Sequence, residues 1–156
     1  MNVVELGITD PTGPDAKHCL NAYFAELNGR FEAGFDPART ISATAEELSE
    51  PRGLLLVAHL DGRPIGCGAI KFHGTAYAEI KRMWVSPTVR RLGIGRRILQ
   101  ALEQLPRDRE MKVVRLDTHR ALSEAINLYR AAGYQEIDAF NDQPYAHHWF
   151  EKRLDA

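Results

Sequence analysis

Two periodicities divide this chain. From Gly53 to Val85 the apolar and small residues fall in three extended runs, Leu54–Leu60, Pro64–Phe72 and Tyr77–Val85, broken by Asp61-Gly62 and by His73-Gly74-Thr75. Asp-Gly between two such runs is a strong two-residue hairpin signal, so the stretch predicts three strands in an antiparallel meander. Ser86-Pro87 stops the third, because proline has no N–H to give to a ladder. The period then changes: Ile94, Ile98, Leu102 and Leu105 recur at four, four and three, one apolar stripe on a helix that Pro106 is expected to end. Val113–Asp117 reads as a buried strand. Leu122, Ile126 and Tyr129 mark the face of a second helix closed by Gly133, and Tyr134–Phe140 and His147–Leu154 read as strands around the turn Asn141-Asp142-Gln143-Pro144.

The first third is less regular. Val3–Ile8 is a strand candidate closed by Asp10-Pro11-Thr12-Gly13-Pro14, a dense turn cluster. Asp15–Asn28 predicts a helix with Leu20, Phe24 and Leu27 on one face and Gly29 ending it, and Asp36-Pro37 and Thr44–Leu48 suggest further helical turns. The order is βααβββαβαββ. An antiparallel front joined to a βαβ back gives an α+β protein with a mixed sheet and helices packed on its faces, and residues 1–156 read as one domain without repeat or linker.

Composition narrows the function classes. With 20 basic and 21 acidic side chains the net charge is −1, so no global field draws the chain to nucleic acid or anionic lipid. The N-terminus has no signal-peptide pattern and no apolar run reaches membrane-spanning length, which makes a cytoplasmic protein the expectation. Cys19 and Cys67 lack metal-like or redox-like spacing, and Cys67, within Gly66-Cys67-Gly68-Ala69-Ile70, reads as a buried small residue, with a catalytic thiol as the alternative. The six histidines show no ligand spacing, and the adjacent pair His147-His148 on a strand points to opposite faces, so no metal is expected. Positive charge is local instead: Lys81, Arg82, Arg90, Arg91, Arg96 and Arg97 fall within seventeen residues, a pattern that suits a small anionic ligand.

The run Arg90-Arg91-Leu92-Gly93-Ile94-Gly95-Arg96 opens the first long helix directly after a strand. Glycines, bare backbone N–H groups and cations at one helix N-terminus form a phosphate site. The plainer alternative for Gly93-x-Gly95 is a sharp turn that lets helix and sheet pack closely. Dinucleotide and nucleoside triphosphate motifs do not fit, since position 98 is Ile98 and no Gly-Lys-Ser/Thr follows.

Arg90-x-x-Gly93-x-Gly95 resembles the acetyl-CoA pyrophosphate motif of the GCN5-related N-acetyltransferases, the GNAT superfamily. The similarity extends through Ala78–Pro87 before it and Ala125–Tyr134 after it, with Leu128-Tyr129-Arg130-x-x-Gly133-Tyr134 at the family's distance. The resemblance implies the GNAT fold, a mostly antiparallel mixed sheet of six to seven strands with helices on both faces. It implies transfer of acetyl from acetyl-CoA to a primary amine in a ternary complex, without metal, nucleic acid or membrane, with a homodimer as one assembly it allows. Arg90, Arg91, Leu92, Gly93, Ile94, Gly95 and Arg96 would hold the pyrophosphate, and the main chain of Met83, Trp84 and Val85 the pantetheine and thioester.

Tyr129 would be the proton donor to the leaving thiolate, a phenol near pKa 10 remaining protonated at neutral pH; core packing is the alternative. Glu79 would be the general base, sharing a strand face with Lys81, Met83 and Val85; a salt bridge to Lys81 or Arg82 is the alternative. Leu122 stands where several relatives place an asparagine, which leaves that contact to the CoA arm unassigned. Tyr145 and His147 are candidates for the acceptor pocket. A small-molecule amine is the expected acceptor, with a protein or peptide acceptor, or an acyl-CoA sensor without turnover, as the other readings.

Overall fold

The structure, a computed structural model, describes residues 3–41, 43–90 and 92–154. Seven strands form one sheet: β1 (Val4–Ile8), β2 (Gly53–Leu60), β3 (Arg63–His73), β4 (Tyr77–Val85), β5 (Val113–Thr118), β6 (Gln135–Ile137) and β7 (His148–Arg153). They lie in the order β1-β2-β3-β4-β5-β7-β6. Every neighbouring pair is antiparallel except β4 and β5. Helices α1 (Pro14–Arg30), α2 (Ile94–Asp108) and α3 (Ser123–Ala131) cover the faces. No helix of the described residues is long and apolar enough to cross a membrane.

The alternating strands send their two side-chain sets to two cores. Leu54, Leu56, Ile70, Ile80, Val114, Leu116 and Phe150 pack with Ile94, Ile98, Leu99 and Leu102 of α2 and Tyr129 of α3. Leu55, Val57, Cys67, Ala69 and Trp84 pack on the opposite face against Ala16 and Cys19 of α1. At about 1.5–3 kcal/mol for each fully buried large apolar side chain, the α2 stripe alone anchors that helix.

Local punctuation differs from the sequence expectation at three places. Pro106 does not end α2, which runs two residues further. The N–H that proline lacks is missing only in the last turn, where an interrupted ladder costs least. Helix α1 continues through Gly29 to Arg30, and its buried positions are Ala16, Cys19 and Leu27, with Leu20 and Phe24 only half-buried. Thr44–Leu48 forms turns without an α-helix; Thr44 and Glu47 make reciprocal capping bonds, but Pro51 and the start of β2 at Gly53 leave no chain to extend them.

The feature that positions the site is in β4. Register shifts between Cys67↔Trp84 and Ala69↔Lys81, so Arg82 and Met83 together oppose Gly68. Arg82 adopts φ 60°, a left-handed conformation that is uncommon outside glycine and tends to mark functional sites. A Cβ on Gly68 would stand 2.7 Å from Met83 Sδ and from Leu102 Cδ1, so only glycine lets α2 and the bulge close on this point. The bulge bends β4. Its ladder to β5 holds only Ala78↔Val114 and Glu79↔Arg115, and beyond Glu79 the two strands are splayed.

Candidate active site

The bulge also reverses which residues share a face. Glu79 and Lys81 lie on the α1 side with Trp84, whereas Met83 and Val85 pack on the α2 side. The single face shared by Glu79, Lys81, Met83 and Val85 that strict alternation requires is therefore not formed, because one inserted residue inverts every later side chain.

The splay opens two cavities. The larger, about 600 Å³, runs along the α2 side and is lined by Met83, Trp84, Val85, Arg90, Gly93, Ile94, Gly95 and Arg96, with Leu122, Leu128 and Tyr129 from the segment of α3. Gly93 takes φ 73° as the residue that starts α2. The first helical bond runs from Arg97 N–H to the Gly93 carbonyl, so the amides of Gly93 to Arg96 have no backbone acceptor among the described residues. A Cβ at position 95 would meet Leu128 Cδ2 at 3.3 Å and Val85 Cγ2 at 3.6 Å, so a larger residue would intrude on the cradle. These donors, the positive helix end and the Arg96 cation fit a pyrophosphate. Leu92 is exposed and its N–H already bonds the Val89 carbonyl at 3.4 Å. Arg91 lies outside the described residues.

The cations do not form one patch. Arg90 donates through Nε to the Val85 carbonyl (3.2 Å) and pairs through Nη2 with Glu26 of α1. Arg30 joins Glu26 to α3 by bonding Glu124 and the Ala121 carbonyl, both at 2.8 Å. Arg97 turns away to the Val4 carbonyl. Lys81 sits 3.7 Å from Glu79, and Arg82 faces the other cavity.

That second cavity, about 90 Å³, lies toward α1 and is walled by Tyr23, Phe31, Phe35 and Tyr145, with Lys81, Arg82, Asp117 and His119 among its lining residues. Two long-range bonds close it: Asp36 N–H donates to Tyr145 Oη (2.9 Å) and Thr40 Oγ1 to Gln143 Oε1 (2.9 Å). His119 stacks on Phe31 with ring centroids 3.7 Å apart and meets His147 edge-on at 4.3 Å. Burial, aided by His147 and Arg120, brings His119 down to about 4, so it is neutral at physiological pH. Tyr145 lines this cavity, while His147 stands behind His119. No group of acidic, histidine and cysteine residues that could hold a metal occurs among the described residues.

The cavities meet at Tyr23, Met83, Leu122, Ala125 and Tyr129, which line both. Tyr129 is 5% exposed, and its phenol bonds none of the described residues. Burial pushes its ionisation well above the ordinary range, so it remains a donor at any physiological pH. Glu79 lines neither cavity; its carboxylate accepts from His73 Nε2 at 2.8 Å and faces Lys81. The carboxylate that reaches the cavity is Asp117 on β5, which the sequence reading did not single out. Asn141 Nδ2 donates to Asp117 Oδ2 (2.9 Å) and Trp149 Nε1 in turn to Asn141 Oδ1 (2.9 Å), fixing its orientation. Burial raises the Asp117 carboxyl above its usual range; Asn141 and Lys81 oppose that shift and Glu79 adds to it. A lone carboxylate closing the strand run Val113-Val114-Arg115-Leu116 was its sequence signal.

Residues 20–134 match the profile of the Acetyltransferase (GNAT) family. The chain is similar to an IAA acetyltransferase of Azospirillum brasilense, 37% identical over 96 residues, covering 61% of this chain and 63% of that protein. It is 30% identical to the N-alpha-acetyltransferase RimI of Mycobacterium tuberculosis over 129 residues, 81% of this chain and 76% of that one. Among solved structures, a Klebsiella pneumoniae protein described as an acyl-CoA N-acyltransferase superposes with a TM-score of 0.79 at 26% identity, covering 97% of this chain and 98% of that one.

Proposed function

Because this chain belongs to the GNAT family of acetyltransferases, we propose that it moves an acetyl group from acetyl-CoA directly to a primary amine of a small molecule, with both substrates bound at once. One observation carries the reading: a groove with a phosphate-type loop and an aromatic-walled pocket share Tyr129 at their junction. Acetyl-CoA supplies the thioester-activated acetyl group. The Gly93–Arg96 amides and Arg96 would hold its pyrophosphate, and the side of β4 at Met83–Val85 that has no ladder to β5 its pantetheine arm.

The chain's own residues then divide the proton work. Asp117 takes the proton that the amine sheds as nitrogen bonds the carbonyl carbon. A carboxylate raised by burial is a stronger base than one in water, which suits that role. Glu79, behind Lys81, adds negative field to the same place. Tyr129 gives its phenolic proton to the departing sulfur as the C–S bond breaks. Holding amine and carbonyl together in one channel supplies the proximity that direct transfer needs.

The aromatic wall and the two bonds that pin Tyr145 and Gln143 favour a small acceptor over a protein surface. Transfer to a peptide N-terminus is the second reading, favoured by the similarity to RimI. Free CoA release measured over a panel of small amines and short peptides tests both. Turnover of small amines and none of peptides is the expected result. Turnover confined to peptides would replace the first reading with the second, and release from no amine by a protein that binds acetyl-CoA would overturn transfer itself.

A further inference from the structure

Arg82 differs from the other arginines near the two cavities in its buried, unpartnered Nε; Arg96 has no ion pair among the described residues either, but it stands on the larger groove. Arg30 and Arg90 reach carboxylates of α1 and α3, and Arg115 pairs with Glu151 at 2.9 Å. Arg82 has no ion pair and no side-chain hydrogen bond among the described residues, and its Nε is buried with no partner. An unpaired N–H buried away from water costs about 1–3 kcal/mol, more for a charged group. The backbone adds to that cost, since a non-glycine residue at φ 60° within a strand is held only by its surroundings.

The side chain is nevertheless positioned rather than loose. Its guanidinium lies over the Phe24 ring, 4.8 Å from the centroid, and the residue lines the smaller cavity. The same cavity contains Lys81, whose ammonium faces Glu79 at 3.7 Å, and Asp117; Arg82 and Asp117 are not paired with each other, and Asp117 is bonded to Asn141. Arg82 is absent from the lining of the larger groove, so no anion of the donor answers it. A fixed cation and a separate fixed carboxylate in one small pocket form the complement of a zwitterion.

Building on the acetyl-transfer reading, we infer that the acceptor is an amino acid-type molecule whose carboxylate is held by Arg82 while its amine lies toward Asp117 and Tyr129. The bulge in β4 is then what brings a cation to the acceptor side, with the Phe24 ring packed against its guanidinium.

The test compares each of several apolar α-amino acids with its own carboxamide as acceptor, with rates expressed per neutral amine. The wild-type protein is expected to prefer the acids by roughly 10- to 100-fold in kcat/KM, the value of a hydrogen-bonded charge pair. Arg82→Gln should collapse the acid-to-amide ratio toward unity, and Arg82→Lys should restore part of it. Amides turned over as well as acids by the wild-type protein would overturn the inference without any variant. So would an Arg82→Gln protein that slows acids and amides by the same factor. Binding of acetyl-CoA with no amine acetylated would instead defeat the transfer reading beneath it.

Discussion

Tyr129→Phe is expected to lower kcat by about 100- to 10,000-fold, the range that a positioned proton donor contributes, while the Kd for acetyl-CoA stays close to the wild-type value. The substitution is clean because the phenol bonds none of the described residues, so its loss strands no buried partner. The ring itself packs edge-on against Tyr134 at 5.9 Å and near Phe150 at 6.4 Å, contacts that phenylalanine keeps. Initial rates by free-thiol detection beside calorimetric titration separate the cases. If Tyr129 were only a packing residue, the variant would turn over at the wild-type rate. A sensor without turnover would show acetyl-CoA binding in both proteins and acetyl transfer in neither.

Asp117→Asn should be nearly as damaging to catalysis and should also change the shape of the pH profile. A base works only when deprotonated, so wild-type kcat/KM should rise with pH through an acid limb lying above the ordinary aspartate range, as burial of Asp117 requires. The Asn variant should lose that limb, keep the later one from ionisation of the acceptor amine, and fall by about 100-fold or more. Stability should move the other way. A carboxyl whose folded pKa is raised favours the fold in its neutral form, an advantage present below the unfolded pKa and lost as pH rises through the folded one. At neutral pH the wild-type protein has lost it, so Asp117→Asn should melt at a higher temperature. An unchanged acid limb in the variant would remove Asp117 from the reaction and return Glu79 as the carboxylate to test.

Much of this was legible because it is local. The meander announced itself through Asp61-Gly62 and the turn at His73–Thr75, and α2 through a stripe whose members Ile94, Ile98 and Leu102 are all buried. The loop at Gly93–Arg96 was readable because its chemistry is written in backbone donors and glycine, which depend on neighbours in the chain. What was hidden depends on register. Nothing in Glu79-Ile80-Lys81-Arg82-Met83 says that one residue is extra, so alternation placed Glu79 beside Met83 and missed that Arg82 turns into the smaller cavity. The nearest signal lay on the partner strand, where Gly66-Cys67-Gly68 allows the close approach a bulge needs. Asp117 was hidden for a related reason. Its meaning comes from the splay between β4 and β5, and that splay is a consequence of the bulge.

The account stands on a donor groove gripped by the start of α2, and calorimetric titration of acetyl-CoA into the wild-type protein and Gly95→Trp tests it most directly. An indole at position 95 would press on Leu128 and Val85 and fill the cradle between them. The expected result is saturable one-site binding to the wild-type protein, weakened roughly 100-fold or more, about 2.7 kcal/mol, in a variant whose circular dichroism remains that of the folded chain. No binding to the wild-type protein, or the same Kd in both, would contradict it.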